Sequence, residues 1–257
     1  MTTRVRTDLH EFRVAAAELP VSAAVGSELD GAVAVVRGDG QWWTTASDAI
    51  AGGAAAILVA RPADAPVEAL DALSAVAGGI PVIVERPLLR ADVVALVGGL
   101  TEDVAPGALV VECHAPARSF SRAVRDATGW ARAATGESLA YSAGWSGGGR
   151  ALALLESRSG AAVSVVAATQ PGAPPLGRLR ITTIGRTRVE IDADIASVVA
   201  VTDAAGRRTA PAQFEGSARV ALRRAIAAVH AGERVTDLAD LRHDTLLAAA
   251  MLSSDKA

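Results

Sequence analysis

Gly78–Val94, GGIPVIVERPLLRADVV, is the stretch that decides the fold. Its apolar run Ile80–Val84 has the length and β-branched content of a buried strand. The run stops at Glu85-Arg86-Pro87, and a helical pattern opens near Arg90. Two charges and a proline closing an apolar run stand at the carboxyl end of a strand, the edge at which open α/β sheets bind ligands. The same rhythm extends in both directions: strand 55–60, helix 67–77, strand 80–84, helix 90–97, strand 109–112. Such alternation predicts βαβ units and a parallel sheet.

The 257 residues suffice for one large domain or two modest ones. Hydrophobic residues make up 51% of the chain but aromatics only 3%, so the core must be built from Ala, Val and Leu. No apolar run reaches the roughly 18 residues of a membrane span. The opening MTTRVRTDLHEF has no apolar segment behind its charges, which argues against a signal peptide. One cysteine, Cys113, excludes an internal disulfide and suits a reducing cytoplasm. A net charge of −3 without a basic block gives no reason to expect nucleic acid or an anionic membrane as partner. Lys256 is the only lysine. Every other fixed cation is arginine, which stays protonated and so clamps anions well but shuttles protons poorly.

Towards the N-terminus, 12–19 reads as a short helix or a strand ended by Pro20. Residues 32–36, AVAVV, read as a strand, followed by Gly-Asp-Gly, Trp42-Trp43 and a short helix over 45–50. A Gly-x-Gly-x-x-Gly turn, which lets a backbone approach a pyrophosphate, is absent: Gly26, Gly38 and Gly40 lack the spacing. No acidic ribose partner can be assigned without that turn. After Glu112-Cys113-His114 a helix over 119–134 follows, its apolar face defined by Phe120, Ala123, Ala127, Trp130 and Ala134. Period-two strands follow at 139–144, 151–157, 161–168, 178–184, 187–191 and 198–202, and predict a mainly antiparallel sheet. Helices over 215–231 and 237–252 close the chain, the second with Thr236 or Asp237 as its cap.

The Glu-Arg-Pro at a strand end, the ILVARPADAPVEAL segment, RDATGWARAATGE, and the phrases LLESRSGAAVSV, ITTIGRTRVEIDAD and RVTDLADLRHDTLLAAAMLSS together resemble the glucose-fructose oxidoreductase / inositol dehydrogenase / MocA (Gfo/Idh/MocA) family. The likeness covers most of the chain from about Ala32 onward. It implies a Rossmann domain, an α+β domain whose open sheet mediates oligomerisation, and NAD(P)-dependent chemistry on sugars or polyols. Against the family pattern, Arg86 replaces the catalytic lysine. Arg61 replaces a threonine beside a retained Pro62, and Pro66 stands where a histidine near the nicotinamide would be. In the RDATGWARAATGE segment Arg132 matches, Gly129 replaces an aspartate, and Asp126 occupies the place of the catalytic histidine.

Each candidate site has a plain reading beside the functional one. Glu85 and Arg86 either form a site, where Arg86 would fork a carboxylate or phosphate, or pair with neighbours at a domain junction. Asp126 either moves a proton or is a solvated helix residue, the favoured reading. Pro66 is well suited to a helix start. Cys113 and His114 are adjacent on a strand and point to opposite faces, so a nucleophile–base pair is disfavoured. No metal set is apparent. Gly147-Gly148-Gly149 joins two strands with no helix after it and reads as a hairpin, not a phosphate loop. Trp42-Trp43 serves either as a stacking surface or as core plus rim. His230, His243 and the Arg219, Arg223, Arg224 group read as capping or surface residues.

The fold expected is α/β followed by α+β: a reduced Rossmann-like parallel sheet over 1–115, then an open, mainly antiparallel sheet with flanking helices over 116–257. Val163, Val165, Ile181, Thr183, Val189 and Ile191 are expected to form the free face of that sheet, through which the chain makes a homo-oligomer or joins a full-length paralogue. The expected function is that of a degenerate, cytoplasmic member that binds a small ligand or serves as a subunit, without a cofactor. The alternative is an NAD(P)-dependent sugar or polyol oxidoreductase with a rearranged site. Candidate catalytic residues are Glu85, Arg86 and Asp126; candidate cofactor contacts are Arg61 and Pro62; no metal ligand is expected.

Overall fold

The computed structural model describes residues 2–101, 107–194, 196–232 and 235–253; Lys256 lies outside them. The first half of the chain runs β1 (Thr3–Arg6), α1 (His10–Ala17), β2 (Ala23–Val25), β3 (Val33–Arg37), α2 (Trp42–Ala51), β4 (Ala56–Ala60), α3 (Val67–Ala77), β5 (Val82–Glu85), α4 (Ala91–Thr101), β6 (Ala108–Ala115) and α5 (Phe120–Thr135). The second half runs β7 (Leu139–Gly147), β8 (Arg150–Ser157), β9 (Ala162–Thr169), β10 (Arg178–Ile184), β11 (Arg188–Ala193), β12 (Val198–Asp203), β13 (Gly206–Thr209), α6 (Ser217–Ala231) and α7 (Asp237–Ser253). The chain divides into two compact units, Met1–Arg86 with Glu215–Arg242, and Pro87–Phe214 with His243–Ala257.

The first unit holds a parallel sheet in the order β2-β1-β3-β4-β5. β4 and β5 are buried along their whole length and β3 in all but Arg37, which is why they read as unbroken apolar runs. Alternate residues face opposite layers. Val33, Val35, Leu58 and Ile83 pack against Phe12 of α1 and Leu222 and Ile226 of α6. Val36, Ile57, Val59 and Val84 pack against Trp42 of α2 and Leu70 and Leu73 of α3. The outer edge of β5 is tied by Asp237, which accepts from the Val84 N–H at 3.0 Å and from both ends of the Arg224 guanidinium at 2.7 and 2.9 Å.

In the second unit the sheet order is β13-β12-β11-β10-β6-β9-β8-β7, and every pairing is antiparallel except β6 with β9. α5 covers one face through Ala123, Ala127, Trp130 and Ala131, and the Trp130 indole N–H is satisfied by the Leu88 carbonyl at 2.6 Å.

The predicted order of a parallel sheet and then an antiparallel one is found, but three expectations change. β6 lies in the second sheet, not the first, so the division falls after Arg86 instead of at 115. Its burial alternates, with Leu109, Val111, Cys113 and Ala115 inward and Glu112 and His114 outward, as in a strand with one wet face. The helix after Gly216 returns to the first unit. Finally, Val163, Val165, Ile181, Thr183, Val189 and Ile191 form the covered face, each no more than 3% exposed. Because side chains alternate along a strand, the open face carries their neighbours: Leu152, Leu154 and Val166 on one half, Glu112, Arg180 and Asp192 on the other. No helix among the described residues is long and apolar enough to cross a membrane.

Candidate functional site

In the parallel sheet the chain winds one way from β1 to β2 and the other way from β3 to β5, so the strand order reverses between β1 and β3. Ligands of open α/β sheets bind outside the carboxyl ends of the strands at that switch. Here the edge carries Asp8 after β1, Glu11 in the first turn of α1, Arg37 ending β3, Asp39 just beyond it, Arg61 after β4 and Glu85 ending β5. Arg37 bridges to Asp8 at 3.7 Å and to Asp39 at 4.0 Å. Arg61 hydrogen-bonds Glu11 directly and stands 3.9 Å from Glu85.

Two of the predicted residues therefore meet, Arg61 and Glu85, with Pro62 next in the chain. Arg61 has φ 49, the only positive φ outside glycine among the described residues. Its loop is held by the backbone of Gly38, whose N–H donates to Ala60 O and whose carbonyl accepts from Ala63 N–H. Gly38 is glycine for a reason of space, since a Cβ there would lie 2.3 Å from Ala60 O. Pro66 occupies the cap position before α3, as a helix start requires.

Glu85 is 5% exposed and Arg86 7%. Burial pushes the Glu85 carboxyl up, the Glu11 charge adds to this, and the Ser217 hydroxyl bond and the Arg61 charge hold it down; the net direction is up. One oxygen of Glu85, Oε2, is buried without a hydrogen-bond donor.

A dinucleotide would require the β1–α1 turn to offer free backbone N–H groups and no bulk. That turn is Thr7-Asp8-Leu9. None of the three is glycine, the Leu9 N–H is taken by the Thr7 hydroxyl at 3.1 Å, and the nearest side chains, Asp8 and Glu11, are acidic. These residues do not fit a pyrophosphate. Glu28, just beyond β2, stands where a ribose partner would and is bonded to Arg4. Neither Asp8, Glu11 nor Glu28 could be placed from the sequence, because β1 and β2 were not read as strands.

Asp126 belongs to the second unit. It is 3% exposed, not the solvated helix residue expected, and lies 4.0 Å from Arg125 on α5. Cys113 points inward and is fully buried; burial, with Asp126 adding, pushes its thiol up to about 12, so it is no nucleophile at neutral pH. His114 is on the open face. His243 is half-buried and its Nε2 accepts the N–H of Leu139 at 3.2 Å; His230 Nε2 meets Thr3 Oγ1 at 3.0 Å. Trp42 is core, its indole N–H bonded to Ala63 O at 3.2 Å, and Trp43 meets it edge-on at 5.9 Å. Gly148 and Gly149 form the β7–β8 hairpin turn with φ 56 and 73. No group of three or more metal-ligating side chains occurs among the described residues.

No protein-family model matches the chain, and no curated protein matches it in sequence. Experimental structures do resemble it. UDP-N-acetylglucosamine 3-dehydrogenase GnnA from Acidithiobacillus ferrooxidans matches with a TM-score of 0.73 at 14% identity, over 98% of this chain and 96% of that one. KijD10, a 3-ketoreductase from Actinomadura kijaniata in complex with NADP and TDP-benzene, matches with a TM-score of 0.67 at 14% identity, over 99% and 90%. The chain has the Gfo/Idh/MocA fold. That fold accounts for both sheets and for the order in which they occur, and it is the one the Glu-Arg-Pro and strand–hairpin phrases resemble.

Proposed function

We propose that this chain keeps the oxidoreductase fold without hydride transfer of its own, and acts in the cytoplasm as a binding subunit for a small sugar-like or acidic ligand or beside a full-length paralogue. The observation that carries this reading is the β1–α1 turn: Thr7-Asp8-Leu9 has no glycine to open its backbone to a pyrophosphate, and Asp8 in the turn and Glu11 in the first turn of α1 are both acidic. Arg86, in the place of a lysine, remains a cation at any working pH and does not relay a proton. The open sheet face supports self-association, with Leu152, Leu154 and Val166 half-exposed beside the Arg180–Asp192 pair.

A second reading, an NAD(P)-dependent sugar or polyol oxidoreductase with a rearranged site, draws support from near-complete overlap with structures described as a 3-ketoreductase with NADP and a nucleotide-sugar dehydrogenase. The Glu28 carboxylate beyond β2 also favours it. Titration of the purified chain with NADPH, followed by fluorescence, separates the two, together with turnover of TDP- and UDP-sugars. The first reading expects no saturable binding and no dinucleotide oxidation. Micromolar binding with stoichiometric turnover establishes the second.

A further inference from the structure

The geometry points to a self-occupied anion seat at the switch point of the parallel sheet: Asp8 and Glu11 hold the positions that an incoming phosphate or carboxylate would take, and Arg37 and Arg61 are the cations such an anion would have met. This rests on the reading that the β1–α1 turn holds no dinucleotide, and it supplies the reason. Both ion pairs cross between strands. Asp8 and Glu11 follow β1, Arg37 ends β3 and Arg61 follows β4, so the two bridges span the crevice that ligands of this sheet type enter.

The aim of Arg61 is built in. A long side chain on a surface finds a counter-ion without backbone strain, yet Arg61 is held at φ 49 by a loop fastened to Gly38 on both sides. That conformation carries the guanidinium over the strand ends to Glu11. Glu85 is left short: its buried Oε2 has no hydrogen-bond donor, and Arg61 Nε stays 3.9 Å away. The guanidinium serves the half-exposed carboxylate in the crevice in preference to the buried one beneath it.

Charge explains why the seat is closed. Asp8, Glu11, Asp39 and Glu85 face Arg37 and Arg61, so a further anion enters a field of the wrong sign. The Asp8 and Glu11 side chains are 74% and 38% exposed, and ion pairs this open to water hold weakly. They can be neutralised without dismantling the core.

The test compares inorganic pyrophosphate binding, by calorimetry at low ionic strength, in the wild-type chain and in Asp8→Asn/Glu11→Gln. The double variant should bind about tenfold or more tightly than wild type, and Arg37→Ala in the same background should abolish the gain. Equal affinity in wild type and double variant overturns the inference, as does a folded double variant, judged by circular dichroism and melting, that gains nothing. Should the double variant fail to fold, the highly exposed Asp8→Asn alone carries the same comparison. Failure here with a wild-type chain indifferent to NADPH sinks the seat but not the proposed function, whereas NADPH turnover by wild type sinks the proposed function.

Discussion

Gly38→Ala is a sharp test of how the sheet edge is built. The added Cβ would lie 2.3 Å from Ala60 O, 2.6 Å from Pro62 Cα and 2.7 Å from the Arg61 carbonyl carbon. All three atoms are backbone, so no side chain can swing aside and the β4–α3 loop itself must retreat. Overpacking of this kind costs about 1–3 kcal/mol. The retreat also strains the Gly38 N–H bond to Ala60 O at 2.9 Å and the Ala63 N–H bond to Gly38 O at 2.5 Å, each worth about 1 kcal/mol net. Together these give about 3–5 kcal/mol, or roughly 6–20 °C in Tm for a chain of this size. Thermal melts followed by circular dichroism read this directly. Gly26→Ala, where a Cβ meets nothing within 4 Å, is the control and should melt close to wild type. A fall of less than about 2 °C in Gly38→Ala would refute the claim that this glycine fastens the two loops.

Glu85→Gln should change the pH dependence of stability. The folded carboxyl titrates above its unfolded value, so its contribution is fully present below the ordinary glutamate range and is lost as pH rises through the folded value. Urea unfolding should therefore show the glutamine variant gaining on wild type from acid towards neutral pH, and a constant difference across that window counts against a buried, burdened carboxylate. Cys113 should resist aromatic disulfide reagents in the native protein and react only once denatured, given its burial and its thiol raised to about 12; native labelling at the rate of a free thiol contradicts its placement. Leu154→Glu on the open face, at a residue 51% exposed, should leave the melt within about 0.5 kcal/mol of wild type. Sedimentation should show loss of self-association, and a wild type that sediments as a monomer refutes the interface.

What the sequence made legible follows from how each element is stabilised. β4, α3 and β5 were placed nearly to the residue, because strands covered on both faces and the helix between them leave long apolar runs with glycine or proline at their ends. β1 was missed: Thr3–Arg6 contributes one apolar residue, Val5, and half its burial is Thr3. With β1 unread, Asp8 and Glu11 could not be located at the sheet edge, so the sequence named only Arg61 and Glu85 of this cluster and missed Asp8, Glu11 and Arg37. The assignment of β6 to the first sheet followed the βαβ rhythm too far. Glu112 and His114, alternating with buried neighbours, were the signal of a one-sided strand. For the antiparallel sheet the periodicity was right and the face inverted, since alternation identifies two faces without saying which one α5 covers.

The return of α6 to the first unit has a temporal side. Leu222, Ala225 and Ile226 complete one apolar layer over β3, β4 and β5, and Asp237 ties off the Val84 amide. A nascent chain that has emerged only as far as Arg86 has α1 alone on that layer, and the ribosome must extend the chain to Ser217 before the second helix of the cover begins. A stop codon placed between Arg86 and α6 would leave Val33, Val35, Leu58 and Ile83 with α1 as the only helix on their face.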